Sequence, residues 1–218
     1  YDKDCESCVA GTMRAKRAMR KPGAKKKGGS MECDLMVMSS PDINGKQYLL
    51  HMAMRETRYG EIWAMKEKNA DDTTKGLKAF IDGIRSIRTP GMSRQEGGFK
   101  VELVKHDPGS EFKGRFRMYC AEEGIQDHEG VTNRHTTCAM IESLNRSTQT
   151  LATTLLHNAL GPEDIHRGEL QILAMQWARH LLNERPITID QRNDGTTPTK
   201  CLLGIDPRYD LQRGAWGT

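Results

Sequence analysis

The sequence predicts an α/β domain in which a mixed five-stranded sheet is flanked by helices, in the order β-β-β-α-β-α-β-α-α. Three observations predict it. Three short apolar runs follow one another early in the chain, with turn segments between them. Helical and strand patterns then alternate. The length of 218 residues and the 36% hydrophobic content suit one sizeable domain with short extensions.

Residues 34–40, 47–55 and 61–67 are the first three strand candidates. Pro41–Asp42–Ile43–Asn44–Gly45 and Thr57–Arg58–Tyr59–Gly60 are the turns between them. Asn44–Gly45 is a strong hairpin signal, so the three strands are expected to be antiparallel. A helix follows, capped by Asp71 or Asp72, with Leu77, Phe80, Ile81 and Ile84 on its apolar face. Thr89–Pro90–Gly91 breaks it. Residues 98–106 form a fourth strand, with Val101, Leu103 and Val104 inward. Phe112, Phe116, Tyr119 and Cys120 line a second helix, and Gly124 ends it as a C-cap does.

Residues 125–132 give a fifth strand, polar enough to be an edge. Residues 126–137, with His128, Gly130, Asn133 and His135, also read as a loop. A long helix runs from Cys138 to Leu160, with Ile141, Leu144, Leu151 and Leu155 on one face, and Gly161–Pro162 stops it. Another runs from Gly168 to Glu184, with Leu170, Leu173, Trp177, Ala178 and Leu181 inward. Residues 186–218 are rich in Pro, Gly and Asp and read as irregular. No internal repeat is present.

The formal net charge is only +4, but it is unevenly placed. Arg14, Lys16, Arg17, Arg20, Lys21, Lys25, Lys26 and Lys27 form a basic block in a Gly/Pro-containing stretch. Such blocks contact polyanions or remain solvated tails. No apolar run approaches the length of a membrane span, and no secretory signal precedes Cys5. The six cysteines are scattered apart from Cys5 and Cys8, which argues for a reducing compartment and against a disulfide scaffold. The chain starts at Tyr1 without Met and reads as a piece of something longer.

Three carboxylates stand out. Asp34 opens the run DLMVMSS, Asp107 ends FKVELVKHD, and Glu142 lies near the start of the long helix. One carboxylate on an early strand, one at a later strand end and one on a helix can hold two divalent metals for phosphoryl transfer. Mg²⁺ takes hard oxygen ligands, and Asp34, Asp107 and Glu142 are its candidate ligands as well as the candidate catalytic residues. The plain alternative is that they are three of 29 acidic residues at the surface. Asn145 and Arg146 neighbour Glu142 on the helix and are candidate contacts to DNA phosphate or bases. Their plain alternative is a solvated face with a Glu142–Arg146 ion pair.

The element order is the RNase H-like one, and at these residues the chain resembles the integrase of retroviruses and LTR retrotransposons, most closely the copia class. HDPGSEF is similar to that class's strand-end motif Asp-Asn-Gly-x-Glu-Phe, and MIESLNRSTQTLATTLL to its catalytic-Glu helix, where Glu-Arg-x-Asn-Arg is usual. GKQYLL and TRYGEIWAMKEKN resemble its second and third strands, and LQILAMQWARHLLNERP the helix that ends in Asn-Arg-x-Pro. GTTPTKCLLGIDP resembles the segment Thr-Pro-x-Glu-x-x-x-Gly-x-x-Pro after the core. CESCVAGTMRAKR resembles the second half of the family's zinc domain. Cys5 and Cys8 match its cysteine pair, and the histidines would lie upstream, so Zn²⁺ is expected only in a longer parent. The resemblance implies a basic linker with the zinc-domain remnant over 1–30, an RNase H-like core over 31–186 and a copia-type extension over 187–218.

It also implies a function. The core would process a cDNA 3′ end and join it to target DNA, using Mg²⁺ or Mn²⁺. It would bind DNA through Arg14, Lys16, Arg17, Lys25, Lys26, Lys27, Asn145 and Arg146. It would work as a homo-oligomer away from membranes, in the nucleus after a cytoplasmic particle stage. The chain departs from the pattern at Val37–Met38, Pro108, Cys138–Ala139 and Ser143, where Gly-Pro, Asn, Asn-Gly and Arg are usual. Those departures favour the alternative of a catalytically decayed or domesticated DNA-binding or assembly module. A transposase or ribonuclease on the same fold is a third reading, against which the copia-like tail argues.

Overall fold

A computed structural model describes residues 29–86, 100–130, 138–160, 166–186 and 196–203. The strands are β1 (Gly29–Val37), β2 (Tyr48–Met54), β3 (Gly60–Met65), β4 (Val101–His106) and β5 (Gln126–Glu129). They form one mixed open sheet in the order β3-β2-β1-β4-β5. β1 is antiparallel to β2 and parallel to β4; β2 is antiparallel to β3, and β4 parallel to β5. The helices are α1 (Ala70–Ser86), α2 (Arg115–Glu122), α3 (Ala139–Leu160), α4 (Arg167–Asn183) and α5 (Pro198–Leu203), with a 3₁₀ turn at Ser110–Phe112 before α2.

The two-residue period of the strands sends alternate side chains to two cores. On one face Met31, Cys33, Leu50, Met52 and Met54 meet Leu77, Phe80, Ile81 and Ile84 of α1 and Phe116 of α2. On the other, Met36, Leu49, Ile62 and Ala64 meet Ala152 and Leu156 of α3 and Ile172, Met175 and Ala178 of α4. Gly76 lets α1 approach β3, since a Cβ there would lie 2.8 Å from the Trp63 ring. Gly124 ends α2 at φ +65°, a conformation that suits glycine.

Several expectations need correction. β1 starts at Gly29, so Asp34 sits within the strand and does not open it. Asn69, not Asp71 or Asp72, caps α1: its Oδ1 accepts the Asp72 N–H at 2.8 Å. Leu173 and Trp177 are exposed, while Ile172, Met175, Ala178 and Arg179 are buried. Two rows at helical spacing compete on α4, and the packed one contains Arg179, a residue that hydropathy assigns to solvent. The segment read as irregular contains α5, whose Leu202 enters the core. Thr197 starts α5, its hydroxyl accepting the Lys200 N–H at 3.1 Å.

Candidate active site

The sheet register brings the two aspartates together. Cys33 of β1 pairs with His106 of β4, so Asp34 and Asp107 are the next residues along two adjacent parallel strands. Asp34 shares the α3 side of β1 with Met36 and is half-buried, while Asp107, just past the end of β4, is exposed. Glu142 is half-buried in the first turn of α3. Asp34 feels the other two. Burial pushes the Asp34 carboxyl above its ordinary range, Asp107 adds to the rise, and Glu142 contributes in the same sense. The Leu35 N–H and the Asn145 amide oppose it by donating to the carboxylate.

Arg146 is exposed, as a phosphate contact requires, but Asn145 faces inward. Asn145 is only 8% exposed and is engaged at both ends of its amide: Nδ2 donates to Asp34 Oδ2 at 2.5 Å, and Oδ1 lies 2.5 Å from Nδ1 of His51. Its place is behind the carboxylates. Cys5, Cys8, Arg14, Lys16, Arg17, Lys25, Lys26 and Lys27 lie outside the described residues, as do Asn133 and His135.

Sequence reasoning missed most of what holds these carboxylates. Glu32 is fully buried on the same face of β1 as Asp34; its Oε2 accepts the Ile141 N–H at 3.0 Å, and Oε1 pairs with Arg55 at 3.3 Å. A carboxylate is thereby fixed at the N-terminal turn of α3, where unpaired N–H groups and the helix dipole favour it. Beside Asp107, the buried His106 ring stacks on Phe112 at 4.3 Å. Its Nδ1 lies 2.8 Å from the Asp107 carbonyl oxygen, and its Nε2 lies 2.7 Å from Asp127 Oδ1. Cys138 donates its thiol to the Asp107 carboxylate, and burial, then Asp107, pushes that thiol well above its usual range. One signal was available: Glu32 and Asp34 stand at i and i+2 in an otherwise apolar strand, which puts two carboxylates on one face.

The donor set suits a hard divalent cation, because it offers carboxylate oxygens whose mutual repulsion a cation relieves. Among the described residues no group of three or more His, Cys, Asp or Glu side chains is gathered as a metal-ligand set. Comparison with models of known protein families and with curated proteins finds no match.

Proposed function

We propose that this chain is the catalytic core of an integrase-type polynucleotidyl transferase with an RNase H-like fold. The observation that carries the reading is the placement of Asp34 and Asp107 side by side on adjacent parallel strands, with Glu142 electrostatically coupled to Asp34 from α3. Asp34, Asp107 and Glu142 would hold Mg²⁺ or Mn²⁺, which when bound favours the attacking oxygen and stabilises the leaving oxygen of an in-line displacement at phosphorus. The protein's own part is to hold those carboxylates in place. Asp34 is fixed through Asn145, the Asp107 peptide through His106, and the turn carrying Glu142 through Glu32. Arg146, exposed one turn beyond Glu142, is available to a DNA phosphate. The substrates would be a cDNA 3′ end, cut with water, and target DNA attacked by the new 3′-OH. The nucleus, after a cytoplasmic particle stage, is where such a reaction belongs. Zn²⁺ would be held only where Cys5 and Cys8 meet two further ligands.

The test is strand transfer of a preprocessed DNA end with Mg²⁺ or Mn²⁺. Joining that requires the metal supports the reading. A folded protein that binds DNA but joins no ends in either metal overturns it in favour of a binding or assembly module. The departures from the family pattern at Cys138–Ala139 and Ser143 favour that second reading. Cleavage of an RNA–DNA hybrid would instead identify a ribonuclease.

Two further expectations follow from the same reading. The basic arm should bind DNA without sequence preference, by release of counterions. Its deletion must stop at residue 28, because Gly29 and Ser30 belong to β1. The truncated protein is expected to bind DNA more weakly, with a log–log salt slope smaller by roughly 0.9 for each phosphate that the arm neutralises. An unchanged slope removes the arm from the mechanism. The chain is also expected to self-associate. Leu173 (63% exposed) and Trp177 (53% exposed) stand one turn apart on α4 and form an apolar pair at the surface. Sedimentation at high micromolar concentration should show a species larger than the monomer, and Trp177→Lys should shift it toward monomer. A wild-type monomer with and without DNA counts against self-association.

A further inference from the structure

The polar chain behind Asp34 has one consistent set of hydrogens. The Asn145 NH₂ faces Asp34, Nδ2 donating to Oδ2 at 2.5 Å. The amide oxygen then faces the ring of His51, and Nδ1, 2.5 Å away, must be the donor. The ring is fully buried on β2, directly across the ladder from Asp34. Burial holds it neutral, pushing its pKa down to about 3, and the nearby Arg179 cation adds to this. A neutral imidazole has a single N–H, and here Nδ1 carries it. Among the described residues Nε2 is left as a buried acceptor with no hydrogen-bond partner. The Nδ1 donor is the second of the two contacts that hold the amide: without it, only the Asp34 contact opposes the turn that would present the amide oxygen to Asp34, acceptor against acceptor.

We infer that His51 is a positioning residue for the carboxylate site: its Nδ1–H locks the Asn145 amide in the orientation that donates to Asp34. His51 touches neither metal nor substrate. It acts through Asn145, which sits three residues after Glu142 on α3 and so ties that helix to β1 and β2 at the site. The consequence for catalysis rests on the integrase reading of Asp34; the hydrogen-bond geometry does not.

The experiment uses the full chain and has readouts with and without metal. Nitrogen-15 spectra of the wild-type ring at neutral pH should show a neutral His51 protonated on Nδ1; protonation on Nε2 overturns the inference. The Asn145 side-chain NH₂ should be protected from exchange. It should lose that protection in His51→Leu and regain it in His51→Asn, whose amide nitrogen superposes on Nδ1. Protection kept in a folded His51→Leu overturns the inference. With metal, the probe is Mn²⁺ binding without DNA. His51→Leu should weaken it roughly 10-fold, as loss of an outer partner of a ligand does. His51→Asn should restore most of it, and His51→Leu should add nothing once Asn145→Ala is present. Additive losses in the double variant overturn the inference, because a general packing defect would add. If the wild type binds no Mn²⁺, the catalytic reading falls, and the two spectroscopic readouts still decide the role of His51.

Discussion

Neutralising Asp34, Asp107 or Glu142 one at a time is expected to abolish strand transfer and leave a folded protein. On the integrase reading, removing one carboxylate would remove a metal ligand that stabilises charge in the transition state, a contribution of several kcal/mol, so activity should fall roughly 10³-fold or more. Stability should respond in the opposite sense. The Asp34 carboxyl is raised by burial and by Asp107, so its folded-state pKa lies above its unfolded value. For a group shifted that way, the stability contribution is fully present below the unfolded pKa and is lost as pH rises through the folded pKa. Asp34→Asn escapes that loss. At neutral pH without metal it should therefore be at least as resistant to denaturant as wild type, and the advantage should disappear in acid. Added Mg²⁺ should stabilise the wild type and not the variant, because only a ligand-bearing native state gains from binding. On the same reading DNA binding should persist, since phosphate contacts by other residues would supply most of the affinity. Glu122 is the better control, exposed at the end of α2; Glu123 is less suitable because it pairs with Arg85 at 2.6 Å. Full activity in any of the three variants, or a wild type more stable than Asp34→Asn at neutral pH without metal, would sink this account.

The architecture was legible where side-chain period and local turn chemistry agree. The β2 run YLLHMAM is apolar on both faces, as a strand covered by helices on both sides should be. The segment with Asn44–Gly45 does join antiparallel neighbours, and Gly45 takes φ +73° there. Asp107 could be found because it ends an apolar strand abruptly before Pro108. The layer behind the site was not legible, for a physical reason. His51, Asn145, Glu32 and Arg179 are polar residues whose neighbours are distant in sequence, and hydropathy places such residues outside. The pairing of His51 with Asn145 spans 94 residues and that of Glu32 with Ile141 spans 109, so no local pattern encodes either. Arg179 shows the same limit. It is 2% exposed; its Nη2 reaches Asn183 Oδ1 at 2.7 Å, and burial holds its pKa down to about 10. Asn183 in turn bonds both the N–H and the C=O of Gly60, an edge-strand satisfaction that only the folded chain displays. Reading α4 by its apolar residues alone therefore put Leu173 and Trp177 inward and did not include Arg179 in the packed face.

Glu32→Ala is expected to be the most damaging change outside the three carboxylates. The substitution leaves the buried Ile141 N–H without an acceptor and Arg55 without its anion. An unsatisfied buried donor costs about 1–3 kcal/mol. The ion pair adds less than a fully buried one would, because the Arg55 side chain is 35% exposed. A loss of about 2–3 kcal/mol in denaturant unfolding is expected. Glu32→Gln separates the two parts. Its amide oxygen can still accept from Ile141 while the charge is gone, so it should cost about 1 kcal/mol. The functional effect follows from geometry. Ile141 adjoins Glu142, and the bond from Glu32 is what ties that turn of α3 to β1. Freeing the turn should lower the strand-transfer rate at saturating DNA while leaving DNA affinity nearly unchanged, since Glu32 is only 1% exposed and cannot reach a phosphate. The order of damage should be Ala above Gln above wild type in both stability and rate. If Glu32→Ala unfolds at the wild-type denaturant concentration, the buried carboxylate is not what anchors α3, and the placement of Glu142 must depend on the packing of Ile141 and Cys138 and on the Asn145 contacts.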